Sequence, residues 1–481
     1  MEKLNRKTQG LANTLPIKVI QFGEGNFLRA FVDYAIQRLN DELDFNAGVA
    51  VVQPIEFGMV DRLNEQDGLY TLFMKGVEKG EEIQQNKLIS SIVKGINPYT
   101  QFEDFFELAK EEELAFIISN TTESGIAYVA TDELEMEPPS SYPGKLTALL
   151  YTRFKYFNGD PTKGLTIIPC ELINHNADTL KDIILRYAED WELEDEFKHW
   201  LINHNSFHNT LVDRIVPGYP KDEIEQYNAQ LDYHDDLLVT AESFFLWVIE
   251  GDEQLKAKLP FHKINLDVKI VADMQPYRTR KVRILNGVHT AMVPFCLMYG
   301  TSTVKESVDG VYTGTFISAG ILPEIIDTID MDKAELQEFA DAVMDRFRNP
   351  FIKHLLSSIA LNSISKFKVR VLPSIETYIK KHNKVPTNLT FSFACLLLFY
   401  KRKWNDTELP VQDSDEVVAA FHKINQAATT AELVSMSLGE LSFWDKDLNQ
   451  IKDLHQALVF AINEIENYGI EVGFAKFNQR Y

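Results

Sequence analysis

The stretch VIQFGEGNFLRAF, residues 19–31, decides how the rest of the chain is read. IKVIQFG is β-branched and apolar and stops at glycine, the pattern of a buried strand. The residues that follow carry apolar side chains at helical spacing: Phe27, Leu28, Phe31, Ala35 and Leu39. Strand, glycine turn and helix in that order mark the position of a dinucleotide-binding turn. Gly23 would permit the tight turn. Gly25 would let the backbone approach a pyrophosphate, which the N–H groups and positive dipole of the helix N-terminus would hold. Glu24, Asn26 and Phe27 belong to the same turn and are expected at the cofactor. The third glycine of G-x-G-x-x-G is absent, with Leu28 in its place, so an ordinary strand-to-helix turn also fits this stretch alone.

Outward from the turn, GVAVVQP, YTLFMKG, LISSIVKGI, LAFIISN and LTIIPC read as further strands, and FEDFFELAKEEE as a helix. Near-continuous apolar strands alternating with helices predict an α/β fold with a mostly parallel, Rossmann-like sheet. From about residue 206 long helical patterns take over, among them AELQEFADAVMDRF, IKHLLSSIAL, TNLTFSFACLLLFYKRK and DLHQALVFAINEIENY. A chain of 481 residues is too long for one ordinary core. The expected division is an NAD-binding domain at 1–205 and a mainly α-helical substrate domain at 206–481.

A ribose-binding acid usually lies about 20 residues beyond the turn, at the end of the second strand. That strand ends VVQPIE, with Gln53 nearest the expected place and Glu56 further along. VVQPIEFG has no arginine or lysine for a 2′-phosphate, which favours NAD over NADP. In ISNTTESGIAY, the residues Asn120, Thr121, Thr122 and Glu123 follow a strand and would face the ligand crevice, or else form a capping turn.

Composition narrows the partners. The formal net charge of −23 argues against nucleic acid and against an anionic membrane surface. The longest apolar run, near FACLLLFY, is far short of the ~20 residues of a membrane span. The N-terminal MEKLNRKTQGLANTLP has no apolar signal core. Cys170, Cys296 and Cys395 are widely spaced and suggest neither a zinc site nor disulfides. A cytoplasmic protein acting on a small molecule without a metal is expected. No heptad pattern argues for a particular oligomeric state.

KVRILNGVH, residues 281–289, is the second decisive stretch. On an α-helix Lys281, Asn286 and His289 fall at about 0°, 140° and 80°, on one half of the surface. A cleft lysine can exchange protons near neutral pH, an amide can donate to a developing alkoxide, and an imidazole can orient a hydroxyl. A surface lysine, a capping asparagine and a core histidine would give the same pattern.

KVRILNGVH together with QFGEGNFLRAF resembles the mannitol dehydrogenase family, the polyol-specific long-chain dehydrogenases, whose signature is this lysine, asparagine and histidine spacing. NSFHNTLVDRI, TAESFFLWVIEG, DMQPYRTRKVRILNG and RFRNPFIKHLLSSIALNSISKF agree with it. SNTTESGIAY, IIPCELINHNADTL and LVDRIVPGYP are similar to members that work on sugar acids. The resemblance implies a Rossmann-like domain followed by a helical one, NAD as cofactor, and no metal. It also implies interconversion of a hexuronate-derived keto acid and its aldonate in hexuronate catabolism. By match Lys281 is the general acid/base, Asn286 belongs to the oxyanion site, His289 orients substrate, and Asn176 in INHN is the counterpart of a second oxyanion asparagine. The polyol-oxidising members carry an arginine eight residues before a lysine; here Lys366 is kept and Ser358 stands at the arginine position. A carboxylate needs a cation, best a bidentate arginine. Arg346, Arg348, Lys353 and Lys366 are candidates, and each would also fit a structural ion pair. A sibling keto-uronate reductase, a polyol dehydrogenase, and a sensor that holds NADH or a sugar acid are the alternatives.

Overall fold

The computed structural model describes residues 2–11 and 15–481, so part of the N-terminal stretch read for a signal lies outside the described residues. The chain forms two compact units. The first comprises residues 1–75 and 83–274, and the second residues 76–82 and 275–481.

The first unit carries the strands β1 (Ile17–Phe22), β2 (Gly48–Val52), β3 (Tyr70–Glu78), β4 (Glu81–Ile89), β5 (Ile92–Ile96), β6 (Phe116–Ser119), β7 (Thr166–Pro169) and β8 (Ser206–Phe207); LISSIVKGI, expected as one strand, is divided between β4 and β5, and β8 was not expected. Six of them make one parallel sheet in the order β5-β2-β1-β6-β7-β8. YTLFMKG is a strand but belongs to another sheet, where β3 pairs in parallel with Val239–Glu242. Strand alternation sends Val19, Val49, Val51 and Ile118 into one core and Ile20, Phe22, Val52 and Ile117 into the other. Both faces are covered, which is why these strands read as unbroken apolar runs. Strand order reverses between β1 and β6, so the ligand crevice of such a sheet opens at their C-terminal ends.

Helix α1 (Asn26–Leu43) follows β1 and is buried almost all round. One side faces the sheet. The other is covered by residues after 205: Phe31 stacks on Phe245 at 4.3 Å, Arg29 donates to the Leu237 carbonyl at 2.6 Å, and Arg214 to that of Ala30 at 2.6 Å. This corrects the expected boundary at 205. The α/β unit continues to Met274 because Ser206–Phe207 add the edge strand of its sheet and later residues, among them Arg214, Leu237 and Phe245, cover the outer face of α1.

Gln21 and Asp33 join strand, turn and helix. Gln21 Nε2 donates to the Gly23 carbonyl at 3.1 Å and to Asp33 Oδ2 at 3.2 Å, and Tyr70 Oη donates to the Arg29 carbonyl at 2.7 Å.

The second unit is helical. Thr387–Phe399 is apolar on every side and buried from Leu389 onward, as a central helix must be. Val288–Tyr299 and Leu454–Arg480 pack around it, with Phe295 edge-on to Phe391 at 6.4 Å and Phe391 edge-on to Phe474 at 5.0 Å. The last helix bends at Gly469, φ 78°, and folds Gly473 against the Glu464 backbone. IKHLLSSIAL is helical only at Leu356–Ile359. Residues before it run extended beside Ser302–Val304, where Val304 N–H donates to the His354 carbonyl and Leu356 N–H to that of Ser302, both at 3.0 Å.

Burial pushes the Asp33 carboxyl up to about 7. The folded chain therefore holds a proton that the unfolded chain releases near pH 4. Stability is greatest at the acid end of this window and declines as pH rises from about 4 to about 7. Chemical denaturation across that range should show the decline, and Asp33→Asn should flatten it.

Candidate active site

In the first unit the candidate residues surround the turn after β1. Gly23 has φ +119°, and a Cβ there would stand 2.9 Å from the Asn120 carbonyl, so only glycine fits without movement. Leu28, at the place of the missing third glycine, fills the space beneath Gly23, with its Cδ1 3.0 Å from that same Cβ position. Gly25 caps α1 with no side-chain hydrogen bond, no acid lies in the first turn, and a Cβ there would meet open space. The N–H groups of a long helix thus begin at the switch point with no side-chain cap from their own chain.

The neighbouring side chains have mostly structural partners. Glu24 is buried; its carboxyl accepts the Met59 N–H, and burial raises its pKa. Asn26 Oδ1 accepts from Arg29 Nη2 at 2.7 Å, and Phe27 stacks on Phe31 at 4.9 Å. Gln53 donates to the carbonyls of Ile55 and Glu56, both at 2.9 Å, and shapes the loop after β2. Its side chain is 2% exposed and is not presented to a ribose. That loop instead exposes Ile55 and Phe57, at 61% and 81%.

Asn120 donates to the Cys170 carbonyl at 2.8 Å, and Thr121 gives N–H and Oγ1 to Glu171 Oε1 at 2.9 and 3.0 Å. Glu171, buried and with its carboxyl pKa raised by burial, also accepts from Ser119 Oγ at 3.1 Å. It is the joint between the two loops and passed unnoticed in the sequence; an acid directly after an apolar strand was its only signal. Thr122 is exposed with φ +71°. Asn176 does not match its expected role. Its Nδ2 lies 3.0–3.1 Å from the Pro169 and Glu171 carbonyls and Thr210 Oγ1, and its Oδ1 accepts from Ala177 and Thr210 N–H. Wholly buried, it ties the end of β7 to its neighbours and leaves no N–H for a substrate oxygen.

In the second unit the candidate residues lie on KVRILNGVH. Lys281–Gly287 is a π-helix set between the α-helices Gln275–Arg280 and Val288–Tyr299. This corrects the α-helical angles used above. Hydrogen bonding from i to i+5 widens the turn and brings residues five apart, here Lys281 and Asn286, nearer the same side. Thr290 Oγ1 supplies a donor to the Asn286 carbonyl at 2.8 Å. Lys281 and Asn286 are partly exposed, and the Asn286 amide makes no hydrogen bond among the described residues.

His289 stacks on Phe347 at 4.0 Å and meets His354 edge-on at 5.0 Å. Its Nε2 is buried without a hydrogen-bond partner among the described residues. Burial, then His354, Arg346 and Arg370, hold its pKa well below the ordinary value, so the ring is neutral at pH 7. Lys366 Nζ donates to the Ile359 carbonyl at 3.0 Å and is lowered by burial and by Arg370. Arg348 instead faces Asp309 at 3.8 Å on the surface, and Lys353 is exposed. Among the described residues no three His, Cys, Asp or Glu side chains are placed to hold a metal ion, and no helix is long and apolar enough to cross a membrane.

Fold and site together define a two-domain α/β-plus-helical oxidoreductase, with a dinucleotide-type turn in one unit and a lysine, asparagine and histidine set in the other. The chain belongs to the mannitol dehydrogenase family: residues 17–263 match the mannitol dehydrogenase Rossmann domain and 273–466 its C-terminal domain. It is 46% identical over 473 residues to the altronate oxidoreductase of Bacillus subtilis (strain 168), covering 98% of this chain and 97% of that one. It is 44% identical to that of Escherichia coli O7:K1 over 476 residues, covering 98% of each. Among solved structures, a substrate-free D-sorbitol dehydrogenase shares the fold with a TM-score of 0.79 at 20% identity, covering 98% of this chain and all of that one. Pseudomonas fluorescens mannitol 2-dehydrogenase shares it with 0.65 at 19%, covering both chains in full.

The neutrality of His289 can be checked by NMR of its ring nitrogens. At pH 6.5, where an ordinary histidine is half protonated, His289 should show only the neutral form. Arg346→Met should move its titration upward.

Proposed function

We propose that this protein is an NAD-dependent reductase that interconverts tagaturonate and altronate in hexuronate catabolism. The observation that carries the reading is Lys281 and Asn286 on one widened turn, followed on the next helix by a neutral His289 with a buried, unpartnered Nε2. The near-full-length likeness to altronate oxidoreductases supports the substrate.

The turn fits a dinucleotide. Gly23 and Gly25 leave room for its pyrophosphate, the first turn of α1 would donate N–H groups to it, and Ile55 and Phe57 offer apolar surface to its adenine end. The nicotinamide, when bound, supplies the hydride that reduces the substrate ketone. Protonated Lys281 gives a proton to the carbonyl oxygen as it becomes a hydroxyl. The Asn286 amide donates to that oxygen while negative charge gathers on it. Neutral His289 offers Nε2 to a neighbouring hydroxyl and fixes the orientation of the chain of carbons. In the reverse direction neutral Lys281 takes the hydroxyl proton, so altronate oxidation improves as pH rises.

The test is loss of NADH absorbance with tagaturonate, fructuronate and fructose in parallel. Tagaturonate should be consumed fastest, and Lys281→Ala should lose at least ~10²-fold in turnover. Preference for fructuronate would make this a mannonate-forming sibling, preference for fructose a polyol dehydrogenase, and no oxidation with any of them a sensor.

A further inference from the structure

Arg370 ends the helix Ser363–Arg370 and did not stand out in the sequence. Both its backbone and its side chain are keyed to the reactive segment. A Cβ on Gly287 would stand 3.0 Å from the Arg370 carbonyl, so glycine there lets the two chains meet. Arg370 Nη1 lies 3.4 Å from Thr290 Oγ1, the residue after His289 and the one that donates to the Asn286 carbonyl.

Several buried guanidinium groups have close acceptors. Arg280 pairs with Glu335 at 2.9 Å, and Arg153 and Arg29 donate to backbone carbonyls. Arg370 is partly buried, its single hydrogen bond among the described residues is long, and no carboxylate acts on it. Its charged neighbours are basic: it acts on His289 and on Lys366, and Arg346 acts on His289 and His354. Asp413 acts on Lys366 and accepts from Tyr400 Oη. In a chain of net charge −23, a half-buried basic cluster on a helix packed against Lys281–Gly287 is a place made for an anion.

We propose that Arg370 is the residue that receives the carboxylate of the sugar-acid substrate, through the donors of its guanidinium fork that the chain leaves open. A planar carboxylate matches that fork with two parallel hydrogen bonds, which Lys366 cannot offer. The assignment rests on the sugar-acid reading above and sharpens it: the acid end of the substrate sits at Arg370, and its ketone lies toward Lys281 and Asn286. Ser358 is thereby explained, since the cation has moved from that position to the far end of the next helix.

The test compares kcat/KM for the keto-uronate with that for the uncharged ketose of the same configuration. Arg370→Met should lower the ratio at least ~30-fold, and Arg370→Lys should restore part of it. A ratio unchanged in Arg370→Met, or an equal loss on both substrates, would overturn the assignment while leaving the function standing. Wild-type protein that turns over the ketose but not the keto-uronate would overturn both. A measurement on the unaltered chain stands beside this if the methionine variant does not fold. Altronate should protect Arg370 from phenylglyoxal, read by peptide mass, and the uncharged polyol should not. Equal modification with and without altronate would refute the proposal.

Discussion

The helical site depends on one backbone feature, the widened turn at Lys281–Gly287. A π-turn exchanges regular i to i+4 bonding for a different register of side chains, and such turns concentrate at functional sites. Here the change brings a lysine and an asparagine five residues apart toward one side, with the histidine three residues further on. The surroundings maintain it. Arg280, just before the turn, is held to Glu335 at 2.9 Å and lies over the Phe339 ring. Arg283 donates to Ser374 Oγ at 2.8 Å on another helix. Thr290 supplies a donor to the Asn286 carbonyl, and Gly287 admits the backbone at Arg370.

The α/β unit follows a related logic. At its crevice the backbone at Gly23 and Gly25 keeps the room, while Glu24, Asn26, Gln53, Asn120 and Thr121 hold loops in place. The Gln21–Asp33 bond connects that turn to the middle of α1, so the turn is as rigid as the core beneath it. Recognition of a phosphate by fixed N–H groups needs such rigidity more than it needs particular side chains.

What the sequence disclosed, and what it concealed, follows from the range of the interactions. Strand runs and the β1–turn–α1 unit are local patterns, and they stood out. YTLFMKG was recognisable as a strand but not as a member of a separate sheet, because its partner Val239–Glu242 lies more than 160 residues away. The domain boundary was misplaced for the same reason: residues 206–274 look unlike a Rossmann half, yet bury the outer face of α1. Spacing and resemblance single out Lys281, Asn286 and His289 as candidates, but apolar periodicity does not separate a π-turn from an α-turn. Asn176 misled because an asparagine's role is set by which acceptors surround it, and here they are all structural. Arg370 and Glu171 are single residues whose meaning comes from neighbours far away in sequence.

In the function proposed, the widened turn Lys281–Gly287 and His289 on the helix that follows assemble the groups that handle a single substrate hydroxyl and its neighbour. A crystal structure with altronate bound tests it most directly. Lys281 Nζ and the Asn286 amide should both lie within hydrogen-bond distance of the hydroxyl that is oxidised, with His289 Nε2 on an adjacent one. Altronate bound elsewhere, or bound with that hydroxyl turned away from Lys281 and Asn286, would contradict the account.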